Sequence, residues 1–204
     1  MVKIISKTLA VELGNRLQST KEDMDVYSYG LEIVLCSLIK IILILGSAYL
    51  LGILNITLFY LMSFILLRHF GGGVHLSTYK RCLAVGLIST IFCAKFVDGL
   101  WLEPNIILWV TIILLILGAL CILKWVPAGT SKKMINDSVQ RLKQKIKTSL
   151  VLTLILGIIG ILYINKYYYY AFSMALGGFV SFFLMSPIGY KTIYAIEIFI
   201  NNIK

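Results

Sequence analysis

Residues 106–124 read Ile-Ile-Leu-Trp-Val-Thr-Ile-Ile-Leu-Leu-Ile-Leu-Gly-Ala-Leu-Cys-Ile-Leu-Lys, a run that meets no charge before Lys124. A helix rises about 1.5 Å per residue, so about 20 apolar residues cross a hydrocarbon layer of about 30 Å with every backbone amide satisfied inside the helix. This run predicts a membrane helix. Composition extends the prediction to the whole chain, whose 204 residues are 59% hydrophobic and only 14% charged, too apolar for an ordinary soluble domain. The expected fold class is all-α: a polytopic membrane protein with about six transmembrane helices plus an N-terminal amphipathic interfacial helix, forming one integral membrane domain over residues 1–204.

Toward the C-terminus, residues 125–147 form the one sizeable polar stretch, with Lys132, Lys133, Arg141, Lys143, Lys145 and Lys147. It reads as a basic loop. Two further membrane helices are expected within 148–187, over 149–164 and 168–187. Tyr167 to Tyr170 mark a membrane interface by their amphipathic rings. The tail 188–204 places Ile193, Ile196, Phe199 and Ile200 on what reads as another surface helix. Toward the N-terminus, Asp98, Glu103 and the breaker Pro104 precede the quoted run. Three more membrane helices are expected at 82–100, 56–70 and 30–51, completing four within 30–124. The last of these carries Glu32 and Lys40. A mid-membrane charge costs about 2.5 to 3.5 kcal/mol, so Lys40 should snorkel or face a polar interior. Val2, Ile5, Leu9, Leu13 and Leu17 recur at helical spacing, and residues 1–25 read as an amphipathic helix on the cytoplasmic leaflet with a polar link.

The net charge of +10 has no separate soluble domain to carry a nucleic-acid surface, and the positive-inside rule accounts for it. Alternating the loops places the N- and C-termini and both basic loops in the cytoplasm of a multi-pass cell-membrane protein. No cleavable leader pattern is expected to direct insertion, a task left to the membrane helices. Of four cysteines, Cys36, Cys93 and Cys121 lie in apolar runs, where a thiol is usually a packing residue. There is no CxxC pair. Cys82 alone has polar and basic neighbours.

Those neighbours belong to Arg68-His69-Phe70-Gly71-Gly72-Gly73-Val74-His75-Leu76-Ser77-Thr78-Tyr79-Lys80-Arg81-Cys82, which holds both histidines of the chain. Three glycines in a row should break the preceding helix. An imidazole close to a thiol is the minimal apparatus of a cysteine nucleophile, since the thiolate is the reactive form. Seven residues on a regular helix climb about 10.5 Å, too far for direct proton transfer. His75 is therefore expected in a loop or loosened turn that folds back over Cys82.

The 68–82 segment resembles the signature of the accessory gene regulator B family, membrane cysteine peptidases of Gram-positive quorum sensing. The resemblance is carried by Arg68, Gly73, Val74, His75 and Cys82 at these separations in a small polytopic protein, and by Val126-Pro127-Ala128 leading into the basic stretch. It implies that Cys82 is the nucleophile and His75 its base, with Arg68 and Gly73 in support. It further implies an endopeptidase that removes the C-terminal tail of a signal propeptide through a thioester and promotes cyclisation to a thiolactone or lactone. The propeptide would carry an amphipathic N-terminal helix and an acidic tail, and the tail is the expected partner of Lys132, Lys133, Arg141, Lys143, Lys145 and Lys147. Membrane lipid and a second copy of the chain are the other expected partners, although no helix offers a clean GxxxG face. No cofactor is implied.

Two other readings compete. A small peptide permease or exporter needs only the helices and Lys40. A metal site from His69, His75 and Cys82 lacks a clear fourth ligand and predicts sensitivity to chelators.

Overall fold

Thr20 and Asp23 stand three residues apart, the spacing at which two side chains can each take the other's backbone N–H and so start a helix. The computed structural model describes residues 2–129 and 137–202. Among them it contains eight α-helices and no strand. The chain divides into two units, Met1–Ser47 and Ala48–Lys204.

In the first unit, α1 (Val2–Leu17) buries Ser6, Ala10 and Gly14, whose spacing of four puts them on one face. Gly14 lies so close to the Met24 side chain that a Cβ there would collide with it. The small residues thus form the packed side, and Ile5, Leu9, Leu13 and Leu17 stay exposed. At the start of α2 (Lys21–Leu50) the Asp23 N–H donates to Thr20 Oγ1 at 3.3 Å while the Thr20 N–H donates to the Asp23 carboxylate at 3.1 Å. This capping box satisfies two amides that the helix itself cannot. The helix therefore begins at Lys21, nine residues before the expected 30–51 span.

The second unit is built around α7 (Tyr168–Met185), nine of whose residues are buried. Lipid offers no hydrophobic drive between helices, so close approach by small residues and interhelical hydrogen bonds decide the packing. Gly177 sits against the Tyr60 carbonyl of α3 (Leu54–Gly71), where any Cβ would collide. Ser173 Oγ donates to the Ile56 carbonyl at 2.7 Å. On another side of α7, Gly118 of α5 (Pro104–Trp125) receives the Phe182 and Leu152 side chains. Leu114, Cys121, Ile155, Ile159, Met174 and Met185 fill the space between α5, α6 (Ser138–Ile164) and α7. Pro104 does more than break the chain: it occupies the first turn of α5, where its missing N–H costs nothing.

Among the described residues, five helices are by length and composition alone apolar enough to cross a membrane: α2, α3, α5, α6 and α7. The expected 82–100 span corresponds to α4 (Tyr79–Asp98), whose 20 residues include Lys80, Arg81, Lys95 and Asp98, the last two paired at 2.7 Å. Those charges sit at its two ends, and because the ends of α3 and α5 meet at Gly71 and Ala128, α4 returns the chain across the same thickness between them, in keeping with the expected span. The tyrosines at the start of α7 also do more than sit in an interface. Tyr170 stacks on Phe59 with ring centroids 5.0 Å apart, and the Tyr169 hydroxyl donates to the Leu100 carbonyl at 3.1 Å. The chain is an all-α polytopic membrane protein.

Candidate functional site

The glycine break falls where expected. α3 ends at Gly71, and Gly72 (φ +79°) and Gly73 (φ +127°) take conformations that L side chains rarely adopt. The conformation is fixed by pairing with a distant piece of chain. Ala128 donates its N–H to the Gly71 carbonyl at 2.9 Å and accepts the Gly73 N–H at 2.8 Å, and the next amide, Val74, donates to the Leu184 carbonyl at 3.1 Å. The Val126-Pro127-Ala128 element is thus the partner of the triple glycine. The ends of α3, α5 and α7 meet there.

Gly73 has a second function. A Cβ on it would run into the Arg68 guanidinium and lie 2.9 Å from the Leu184 carbonyl oxygen. Its bare Cα lets the guanidinium fold over the break, where Arg68 Nη2 donates to the Val74 carbonyl. The other terminal nitrogen, Nη1, is buried with no hydrogen-bond partner among the described residues. The same guanidinium interacts electrostatically with Cys82 and with Tyr190.

Beyond Val74 the chain runs through exposed His75 and buried Leu76 to Thr78, which takes an extended conformation (φ −118°, ψ 144°) ahead of α4. His75 therefore lies in irregular chain, as expected of a loop position ahead of the helix. α4 begins at Tyr79, three residues before the expected start. Cys82 thereby falls in its first turn, half-buried, with its N–H donating to the Thr78 carbonyl at 3.0 Å. Helix N-termini carry partial positive charge and favour an anion in the first turn. The other three cysteines lie within α2, α4 and α5, and none of the four is in a disulfide.

The helix after α7 closes the site. Along α8 (Pro187–Asn202), Glu197 accepts from both the N–H of Ser77, at 3.1 Å, and its hydroxyl. Arg81 Nη1 stands 3.4 Å from the same carboxylate oxygen, and Arg81 Nη2 donates to Asn201 Oδ1 at 2.6 Å. The Ser77 hydroxyl beside Glu197 holds its carboxyl below the ordinary value, with the Arg81 cation adding to the effect against some desolvation. Nearer the start of α8, the Tyr190 hydroxyl donates to the Gly129 carbonyl at 2.9 Å. Burial pushes that phenol up from its ordinary pKa, and the Arg68 cation works the other way. No motif spacing points to Glu197, Asn201 or Tyr190. The one available signal is that Glu197 is the only acidic residue after Asp137.

The basic residues separate into groups. Lys132 and Lys133 lie outside the described residues. Arg141, Lys143, Lys145 and Lys147 are on α6 and not in a loop, a correction to the expected 125–147 span. Asp137 caps that helix by accepting from the Val139 N–H at 3.0 Å, and the first turns beyond it are rich in good helix formers. Arg141, Lys143 and Lys147 are exposed. Lys145 donates to the Leu123 carbonyl at 2.7 Å and so caps the end of α5. No group of three or more His, Cys, Asp or Glu residues placed to hold a metal occurs among the described residues.

The glycine break, Arg68, His75 and the helix-borne Cys82 thus lie at one end of the bundle. The profile of the family named Accessory gene regulator B matches residues 6–203. The chain belongs to that family. It is 27% identical to AgrB-like protein 2 of Clostridium perfringens (strain 13 / Type A) over 179 residues, 86% of this chain and 83% of the relative. It is also 27% identical to Accessory gene regulator protein B of Staphylococcus intermedius over 151 residues, 74% of this chain and 77% of the relative. No solved structure matches. As a member of the accessory gene regulator B family, the protein belongs to quorum-sensing gene regulation and is built on membrane helices.

Proposed function

We propose that this protein is a cell-membrane cysteine endopeptidase that cuts the C-terminal tail from a signal propeptide and cyclises what remains. The observation that carries the reading is the position of Cys82. Alone among the four cysteines it stands in the first turn of a helix, with the Arg68 cation acting on it and a histidine in the irregular segment just before that helix. Cys82 Sγ attacks the scissile carbonyl while His75 takes the thiol proton. His75 returns that proton to the leaving amine as the C–N bond breaks, and the tail departs, leaving the signal peptide as a thioester on Cys82. A cysteine thiol or serine hydroxyl of the same peptide then attacks the thioester carbonyl and passes its proton to His75. Cys82 leaves and is reprotonated, and a thiolactone or lactone is formed. Thioester exchange onto another thiol is nearly balanced in energy, so a site that limits water favours the ring over hydrolysis.

Arg68 Nη1, buried and without a hydrogen-bond partner among the described residues, suits the oxygen of the tetrahedral intermediate. Arg141, Lys143 and Lys147 run along an exposed stretch of helix, and with Lys132 and Lys133 they suit an acidic propeptide tail. Cations near a helix N-terminus oppose the macrodipole, which favours a binding role for them over a helix-stabilising one. In this reading the site, the basic residues and both termini face the cytoplasm, which keeps Cys82 reduced.

Purified protein in vesicles, incubated with candidate propeptides that carry an amphipathic N-terminal helix and an acidic tail and analysed by mass spectrometry, tests the proposal. The expected products are a free tail, a ring and an acyl adduct on Cys82, all lost in Cys82→Ala and His75→Ala. Peptide crossing the membrane uncut, in wild type and both variants alike, would identify a permease instead.

A further inference from the structure

We propose that Glu197 is a positioning residue of the Cys82 site, holding from α8 the segment that connects His75 to Cys82. One carboxylate oxygen receives the Ser77 N–H, the Ser77 hydroxyl and Arg81 Nη1. Ser77 lies two residues beyond His75, and Arg81 immediately precedes Cys82. Asn201, one turn further along the same face of α8, takes the other terminal nitrogen of Arg81. The planar arginine fork is thereby fixed at both tips.

His75 is bracketed. On one side Val74 donates to the Leu184 carbonyl, and on the other Ser77 is fastened to Glu197. Two anchors three residues apart restrict an otherwise irregular segment, which lowers the entropy lost when imidazole and thiol align. The arm that carries Glu197 is itself fixed. The Gly189 N–H donates to Ser186 Oγ at 3.2 Å, and Tyr190 reaches the Gly129 carbonyl at 2.9 Å. With side chains only 17% and 22% exposed, the Arg81–Glu197 pair is sheltered compared with the exposed ion pairs elsewhere in the chain. Glu197 acts through Ser77 and Arg81, the two residues its carboxylate holds. The inference rests on the proposed function for the chemistry it assigns to His75 and Cys82.

The test has an arm that needs no substrate. Full-length protein in lipid nanodiscs is alkylated with iodoacetamide between about pH 5 and pH 9, and the Cys82 peptide is quantified by mass spectrometry, since alkylation reports the thiolate. Glu197→Ala is expected to move the pH profile of Cys82 toward that of His75→Ala, and Glu197→Gln, which keeps an acceptor for Ser77, to restore most of the wild-type profile. Ser77→Ala removes the same contact from the other side and is expected to shift the profile in the same direction, which covers the case in which Glu197→Ala does not fold. Superimposable profiles for wild type and Ser77→Ala, or for wild type and a folded Glu197→Ala, would overturn the proposal. In the second arm, with propeptide, Glu197→Ala should slow acylation about tenfold to a hundredfold at unchanged KM, the scale on which misalignment by about 1 Å acts. Should wild type fail to cut propeptide while the alkylation profiles shift as stated, the peptidase reading falls and the positioning role stands. Should wild type cut and Glu197→Ala match it in both arms, the positioning role falls alone.

Discussion

The backbone N–H of Gly73 donates to the carbonyl of Ala128 at 2.8 Å, across 55 residues of chain. The bond joins the glycine break to the Val126-Pro127-Ala128 element and leaves the Gly73 Cα bare beneath the Arg68 guanidinium. The glycine run is therefore a shaped seat, and freedom of movement is not what its residues supply in the folded protein.

Substituting that seat should be costly. In Gly73→Ala the methyl group meets Arg68 and the Leu184 carbonyl at a φ of +127°, so acyl-adduct formation is expected to fall at least about a hundredfold through misplacement of the site. Gly157→Ala, where nothing lies within 4 Å, is the control and should retain activity. Equal activity of the two variants in a propeptide-cleavage assay would show that the seat does not matter.

Arg68 should resist conservative replacement. Lysine cannot reach the Val74 carbonyl with one nitrogen and present a second at the Nη1 position. Loss of a donor aimed at a developing oxyanion typically costs about 10²- to 10³-fold in kcat, and Arg68→Lys is expected to fall in that range with little change in KM. A loss carried by KM alone would assign Arg68 to substrate binding.

The lysines of α6 should separate by role. Lys145→Ala removes the cap on Leu123 and is expected to lower stability by about 0.5–1 kcal/mol in thermal unfolding, with little effect on propeptide affinity. The pair Arg141→Ala and Lys143→Ala should leave unfolding unchanged, raise the apparent KM and flatten its dependence on salt. Kinetics identical to wild type at every ionic strength would leave these cations with membrane topology alone.

The Glu197 contact should depend on pH in one direction. Its carboxyl is held below the ordinary value by Ser77 and Arg81, so the contact is fully present above the ordinary carboxylate pKa of about 4.3 and is lost as pH falls through the lowered value. Hydrogen exchange at the Ser77 amide should accelerate through that acid window, relative to the intrinsic exchange rate, in wild type. In Glu197→Gln the relative rate should not change there, and a matching transition in that variant would place the titrating group elsewhere.

The sequence alone determined that the chain is helical and membrane-embedded, because uninterrupted apolar runs such as 106–123 have no other stable use in 204 residues. It also marked the segment on which the proposed chemistry rests, since glycine, histidine and the one polar-flanked cysteine fall in a single 15-residue stretch whose helix break comes from backbone freedom. Charge density misled at one place. Residues 138–147 are basic enough to read as a loop but carry strong helix formers behind an Asp137 cap. What only the tertiary structure decided is how the segment is held: the Ala128 seat, the Leu184 anchor, and Glu197 reaching Ser77 from 120 residues away. Those bonds join chain ends brought together by helix packing, and local periodicity carries no information about which distant carbonyl or carboxylate a given amide will meet.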